Sequence, residues 1–340
     1  MSRRRRQAAP QRNAPRRRCV LALGVALATA VLVGGCSGDG EVVLLGGQKV
    51  PAEDIDRDAL ALLPAGVVLL GHLDARSLFA TSLGPDVAKL VSSLLPLGPE
   101  SNFVPSRDVV GMYGGAYTMQ GADFCVVIQG TFDADAIHRS ADARAMTVAG
   151  MPLVKSRYAD LDVYTAGNVG FVVLTSHTVL SGNETGMRRA LDRLRFGKLE
   201  RSVPSWMIDL LATPNATVAL AGDLRSQPGI DASKGQLPFV AGLSYVRVLG
   251  NFQPPGLNFA GAFTYADPAS AQAGTAALQN LNQLTQFMSL LSSLGFGVSI
   301  PPLRLAQSGN DVAFTVALDD RLVRVALARM ADAIRPPPGR

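Results

Sequence analysis

The sequence predicts an α+β fold made of two related units, each an antiparallel sheet with helices packed on one face. Three observations carry this. Apolar segments come in pairs separated by turn residues, helix signals are interspersed between the pairs, and the pattern recurs in order, its hairpins and closing helices at an offset of about 134 to 136 residues. The expected division is a leader over 1–35, an attachment segment over 36–60, a first unit over 61–200, a second over 201–333 and a frayed tail over 334–340.

Arg3, Arg4, Arg5, Arg6, Arg12, Arg16, Arg17 and Arg18 precede an uncharged apolar run, Val20 to Val33, with no acidic residue among them. A basic stretch followed by an apolar one is the pattern of an export signal. About 14 apolar residues fall short of the roughly 20 that a helix needs to cross the hydrocarbon core. The run ends in Val33-Gly34-Gly35-Cys36, which resembles the lipobox of bacterial lipoproteins. That resemblance implies cleavage between Gly35 and Cys36, diacylglycerol on the Cys36 thiol, acylation of the new amino group and attachment to a membrane through these palmitate-type chains. Each buried methylene adds about 0.8 kcal/mol to such an anchor. A plain secretory signal, an uncleaved anchor and a twin-arginine signal are the weaker alternatives. Ser37, in place of Asp, favours the outer membrane facing the periplasm over the inner membrane, by the best-known sorting rule of that family.

Composition changes meaning once the leader is set aside. The whole chain carries +5, but without the eight leader arginines 24 Lys and Arg face 27 Asp and Glu, a net −3. No basic surface is left to suggest a nucleic-acid partner. Cys19 belongs to the leader and Cys36 to the lipid, so Cys125 is alone in the body and no internal disulfide forms. It lies in Phe124-Cys125-Val126-Val127-Ile128, a strand pattern in which a free cysteine acts as a small hydrophobe.

In chain order, Ser37 to Gly47 reads as a tether. Pro51 to Leu63 reads as a helix capped by Asp54, with Ile55, Leu60, Leu62 and Leu63 as its apolar positions. Asp54, Asp56 and Asp58 mimic the first ligands of a calcium loop, but Ala59 and Ala65 stand where that loop needs glycine and glutamate. The repeat begins with matching strands at 64–74 and 214–224, each followed by an Arg-Ser pair, Arg76-Ser77 and Arg225-Ser226. Hairpins follow, 109–117 with 124–131 and 245–252 with 257–265, turning at Gly121 and at Pro254-Pro255-Gly256.

Helices are then expected to start at Asp133 and at Asp267-Pro268. The first unit adds strand material at 151–157, 161–165 and 171–180. The second has the longest helix, 268–294, with an apolar stripe of Ala277, Leu281, Leu284, Met288 and Leu291. Arg188-Arg189-Ala190-Leu191 and Arg324-Val325-Ala326-Leu327 mark matching closing helices, and 202–213, with the sole tryptophan Trp206, connects the units. Leu63-Pro64-Ala65 followed by Asp74 is similar to the opening of duplicated, uncharacterised bacterial envelope proteins. The similarity covers about 60–333 and implies no active site.

Residues suited to chemistry are few. His72, His138 and His177 have no second ligand at a metal spacing, and no phosphate loop, nucleophile elbow or dinucleotide fingerprint occurs. Gly111, Gly114 and Gly115 read as a bulge or a close backbone approach in a strand. Ser176-His177 is a poor nucleophile and base pair, because neighbouring strand residues point to opposite faces. Asn183-Glu184-Thr185 and Asn215-Ala216-Thr217 match glycosylation sequons, which mean little in a bacterial lipoprotein. No catalytic residue, metal or cofactor is assigned. The expectation is a non-catalytic envelope lipoprotein that acts as a scaffold for a protein partner. The alternative is a carrier or chaperone for a lipid or other apolar ligand, held between sheet and long helix.

Overall fold

The computed structural model describes residues 41–94, 97, 99–118, 123–147, 150–227, 237–254, 256–293 and 301–334; Gly35, Cys36 and the turn at Gly121 lie outside them. A hairpin opens this set, β1 (Val42–Leu45) paired with β2 (Gln48–Pro51), where a tether is expected. Alternation explains it: Val43 and Leu45 are buried in the core while Val42 and Leu44 face out. Gly46 and Gly47 supply the two positive φ values, 57° and 82°, that a tight hairpin turn needs.

The helix expected over 51–63 is two short ones, α1 (Ala52–Asp56) and α2 (Ala59–Leu62). Asp58, not Asp54, is a cap: its carboxylate accepts from the Leu60 N–H and ends the first helix by starting the second. Asp54 pairs with Arg57 at 2.6 Å, and Asp56 turns inward to accept from the hydroxyls of Thr175 and Thr178. The three aspartates therefore point to three different partners.

Twelve strands form the main sheet among the described residues. The first half supplies β3 (Leu69–Asp74), β4 (Val109–Ala116), β5 (Phe124–Gly130), β6 (Leu153–Tyr158), β7 (Leu161–Ala166), β8 (Val169–Val173) and β9 (Thr178–Gly182). The second supplies β10 (Val218–Asp223), β11 (Leu243–Asn251), β12 (Gly256–Tyr265), β13 (Arg304–Ser308) and β14 (Asp311–Asp319). The order is β13-β14-β12-β11-β10-β3-β4-β5-β9-β8-β7-β6, and every neighbouring pair is antiparallel. The two halves meet where β10 pairs with β3, so one continuous sheet runs through both, from Leu69 to Asp319 in sequence. A bulge between Val109 and Gly111 interrupts the β4–β5 ladder. Gly115 allows a close approach, since a Cβ there would meet the Tyr117 hydroxyl at 2.8 Å.

Helices cover both faces of the first half. On the front, α1, α2, α7 (Glu184–Arg195) and α8 (Ser205–Leu211) pack with the opening hairpin over Leu70, Cys125, Val127, Val172 and Leu180. On the back, Ala75 of α3 (Ala75–Phe79) and Ile137 and Ala141 of α6 (Ala134–Asp142) pack over Tyr164, Phe171, Val173 and Val179. Asp133 caps α6 as expected, accepting from the Ala136 N–H at 2.9 Å. The helices α4 (Gly84–Leu94) and α5 (Pro105–Asp108) stand beside α3 on this side.

In the second half the back is covered by α9 (Pro268–Ser293), whose Ala271 and Leu278 join Val246, Tyr265 and Val312 in a core of their own. The buried row of α9 differs from the expected stripe. Leu281 is exposed, and the row runs instead through Ala271, Gly274, Leu278 and the half-buried Asn282. Gly274 is set by packing, because a Cβ there would fall 2.2 Å from the Tyr265 hydroxyl. Asn282 stays inside because its amide satisfies both backbone groups of Leu303, at 2.7 and 2.9 Å. The side chains of Leu284, Met288 and Leu291 lie outside the described set. The closing helix α10 (Asp320–Ile334) ends the described chain.

Candidate functional site

Residues directly opposite each other on adjacent strands share a face, so the register shows what each half presents on its front. In the first half one cross-strand row runs His72, Tyr113, Val127, Leu180, Val172. Its counterpart across the β3–β10 seam runs Ala221, Arg247, Ala262, Ala313, Ala306. Val127, Leu180 and Val172 are fully buried under helices. Ala313 and Ala306 are exposed, as are Ala260, Thr315, Ala317 and Arg304 in the neighbouring rows. The front of the second half is closed at β10, where α8 packs and Ala219 and Ala221 are buried, and is an open, small-residue surface over β12, β14 and β13.

The closing helices explain the difference. Asn183 accepts from the Gly186 N–H at 3.0 Å and starts α7; Asp319 accepts from the Leu322 N–H at 2.8 Å and starts α10. Along the ladder, Asn183 follows Gly182 by one residue, whereas Asp319 follows the equivalent Thr315 by four. An odd number of added strand residues turns the next element toward the opposite face. Accordingly α7 packs on β5, β8 and β9, while α10 meets α4, tied by Arg324 to Asp86 and to the Ser82 carbonyl. Gly186 permits the tight contact of α7, since a Cβ there would lie 2.1 Å from the Phe124 carbonyl oxygen; Leu322 holds that place in α10.

Two depressions mark the open front. A groove of about 620 Å³ crosses the strands between the 213–216 loop and Pro301-Pro302, floored by Leu249, Ala260 and Ala317 and edged by Asn258 and Arg304. A smaller one of about 360 Å³ lies between Trp206 and Tyr245 and the polar set Arg247, Thr264 and Asp311. Trp206 meets Tyr245 edge-on at 5.6 Å, and the Arg225 guanidinium sits 4.8 Å from the Tyr245 ring centre. Arg247 donates to Thr264 Oγ1 at 3.0 Å and to Asp311 at 3.3 Å. The Arg225 side chain bonds Asp223 and holds its carboxyl below the usual range, outweighing burial. The surface thus combines flat small-residue ground with an aromatic and paired-charge rim.

The sequence singles out other residues, and the structure places them elsewhere. Cys125 is fully buried and burial pushes its thiol up to about 12, so it stays protonated in the front core. His72 lies against Tyr113 with ring centres 4.6 Å apart and the planes tilted by 31°; burial lowers its pKa in spite of Asp74 nearby. His138 contacts the Tyr164 hydroxyl at 3.1 Å, which in turn donates to Asp142. His177 Nδ1 lies 3.0 Å from the Gly130 carbonyl, while Ser176 Oγ donates to Glu41, so this pair faces different partners. Asn183, a sequon by pattern, is a buried helix cap. Among the described residues no group of three or more His, Cys, Asp or Glu is placed to hold a metal ion. The open front escapes sequence reading; its only signal is alternate alanine in β12 and β14, which by itself says nothing about cover.

Fold and surface together define an α+β protein built on one long antiparallel sheet with an uncovered front over the outer strands of its second half. No family model and no curated protein matches the chain. Among solved structures it is similar to TP0453 in three crystal forms, III, I and IV. Their TM-scores are 0.48, 0.47 and 0.43 at 11%, 10% and 11% identity. The matches cover 80%, 80% and 82% of this chain and 98%, 97% and 96% of those chains.

Proposed function

We propose that this chain is a non-catalytic lipoprotein of the bacterial envelope, anchored through Cys36, that offers the open front of its second half to a protein partner. The observation that supports this is the contrast between the equivalent rows: Val127, Leu180 and Val172 are sealed beneath α7, whereas Ala313 and Ala306 are exposed and small enough to let a partner approach closely. The rim of Trp206, Tyr245, Arg225 and Arg247 has the aromatic and arginine character typical of protein interfaces.

A carrier of apolar ligands ranks second. That reading needs a cavity between sheet and long helix, and the described part of α9 is packed there, with Gly274 against the Tyr265 ring and Leu278 buried. The test uses photo-crosslinking residues placed at Ala313, at Thr315 and, as a control, at exposed Asp135 on α6. The expected result is one and the same envelope protein captured from both front positions, absent from the control, and lost in Ala313→Arg without change in unfolding temperature. No capture at either front position, with a stoichiometric lipid-sized adduct by native mass spectrometry, favours the carrier. Incorporation of an alkyne fatty acid that is lost in Cys36→Ala tests the anchor.

A further inference from the structure

We infer that the outer side of the β1–β2 hairpin, with the C-terminal corner of α7, is a docking face for an anionic phospholipid surface. This rests on the lipid anchor at Cys36 proposed above. The register sets Val42 opposite Pro51 and Leu44 opposite Lys49, and all four are exposed, Val42 at 51% and Leu44 at 52%. Their neighbours Val43 and Leu45 hold the hairpin to the front core, so the hairpin is fixed by one side and apolar on the other.

The tip of the hairpin meets a second apolar and basic element. The Gly46 N–H donates to the Ala159 carbonyl at 3.1 Å and the Gly47 N–H to the Asp160 carboxylate at 2.8 Å. The Arg195 side chain lies along Gly46, and its guanidinium is 5.6 Å from the ring centre of Phe196, which is 63% exposed. Exposed Lys49, Arg157, Arg195 and Lys198 thus gather toward the tip of the hairpin, against exposed Asp160 and Glu200, while exposed Glu41 and Glu53 flank its open end. Two of the five lysines of the chain are here, on a body whose net charge is −3. An apolar edge with a local excess of positive charge fits a headgroup layer that carries negative charge.

Reach agrees with this. Five residues separate Cys36 from Val42, at most about 20 Å of extended chain over the six steps, so the whole hairpin can meet the bilayer that holds the lipid. The corner adjoins the β6–β7 turn at one edge of the sheet, and β13 is the other edge, about 50 Å away at the usual strand spacing, so a probe on β13 is a distant control.

The test uses the full chain with Trp206→Phe, so that a single introduced tryptophan reports. It is placed by Leu44→Trp, Phe196→Trp or, at the far edge, Arg304→Trp, in vesicles of phosphatidylcholine containing phosphatidylglycerol and brominated acyl chains. Quenching of about twofold or more is expected at 44 and 196 and none at 304, the first two weakened by added salt and by Lys49→Glu with Arg195→Glu and Lys198→Glu. Unfolding temperatures equal to the Trp206→Phe parent show that the variants are folded. Chains that float with the vesicles but show no quenching at 44 and 196 overturn the docking face and leave the anchor standing. Chains that neither float nor carry acyl mass on Cys36 overturn the anchor and the docking face together.

Discussion

In sequence, α7 and α10 carry nearly the same stripe: Met187, Ala190, Leu191 and Leu194 in one, Val323, Ala326, Leu327 and Met330 in the other. In the fold all four of the first are at 0–1% exposure, whereas Ala326 is exposed and Leu327 half-buried. The difference teaches that an apolar stripe states how a helix must be covered and not by what. The strand before it decides. In the first half the strand stops one residue before the cap and a glycine admits the helix to the front. In the second half the strand runs on, the helix leaves for α4, and alanines take the place of valine and leucine on the face left behind. Covering those alanines would bury little apolar area, so at roughly 25 cal/mol per Å² there is little to hold a helix there.

The largest test of that comparison is truncation of the matched leucines. Leu191→Ala removes a fully buried side chain from the front core and is expected to cost about 2–5 kcal/mol in chemical denaturation. Leu327→Ala, at a half-buried contact with solvent nearby, is expected to cost about 1 kcal/mol or less. Equal losses would mean that α10 is as deeply packed as α7 and would close the open face.

The second test addresses the glycine. Gly186→Ala forces a Cβ against the Phe124 carbonyl and is expected to cost about 1–3 kcal/mol by overpacking, despite the gain in helix propensity. Leu322→Ala, its counterpart, is expected to lose only part of a surface contact, below about 1.5 kcal/mol. If Gly186→Ala stabilises the protein, close approach is not what seats α7.

Much of this organisation is legible in the sequence alone. The matched strands, the hairpins and the caps at Asp133 and Asp267 depend on local chemistry, and local chemistry is written in consecutive residues. Three things are not. The β1–β2 hairpin hides in a segment rich in small residues, where only Val43 and Leu45 carry the alternation. The inner row of α9 shifts because Asn282, polar by type, is bonded to a backbone remote in sequence. The candidate face depends on the three residues by which β14 outruns β9, a count that acquires meaning only once the ladder partners are known.

The caps give a third, smaller contrast. Asn183 accepts from the Gly186 and Phe124 N–H groups and donates to Asp123, joining helix and strand in the buried front. Asp319 serves the Leu322 N–H at an exposed site. Asn183→Ala is therefore expected to cost about 2 kcal/mol, the upper end for a cap, and Asp319→Ala about 0.5–1 kcal/mol. Thermal unfolding of the two variants under one condition decides it, and a larger loss from Asp319→Ala would place the stronger junction in the second half.

The smallest effect separates the backs of the two halves by pH. In the first half Glu100 is held down to about 2 from the usual 4.5 by its own backbone N–H, by Arg144 at 3.0 Å and by Ser140 at 2.9 Å. A carboxyl lowered in the folded state contributes its stability in full above its unfolded value and loses it as pH falls toward the folded value. In the second half Asp267, which starts α9, is lowered by the backbone and hydroxyl of Ser270 and by the backbone of Ala269, with no ion pair among the described residues. Both sites are solvent-exposed, so the changes are small and are read as slopes of unfolding temperature between about pH 5 and pH 2.5. Glu100→Gln removes the titrating group and is expected to flatten that slope, and added salt is expected to flatten the wild-type slope further by screening Arg144. Asp267→Asn keeps a good helix cap while removing its charge, so it is expected to flatten the slope less and to be nearly indifferent to salt. If the two variants respond alike to salt, the back of the first half is not tied by charge, and its greater cover comes from apolar packing alone.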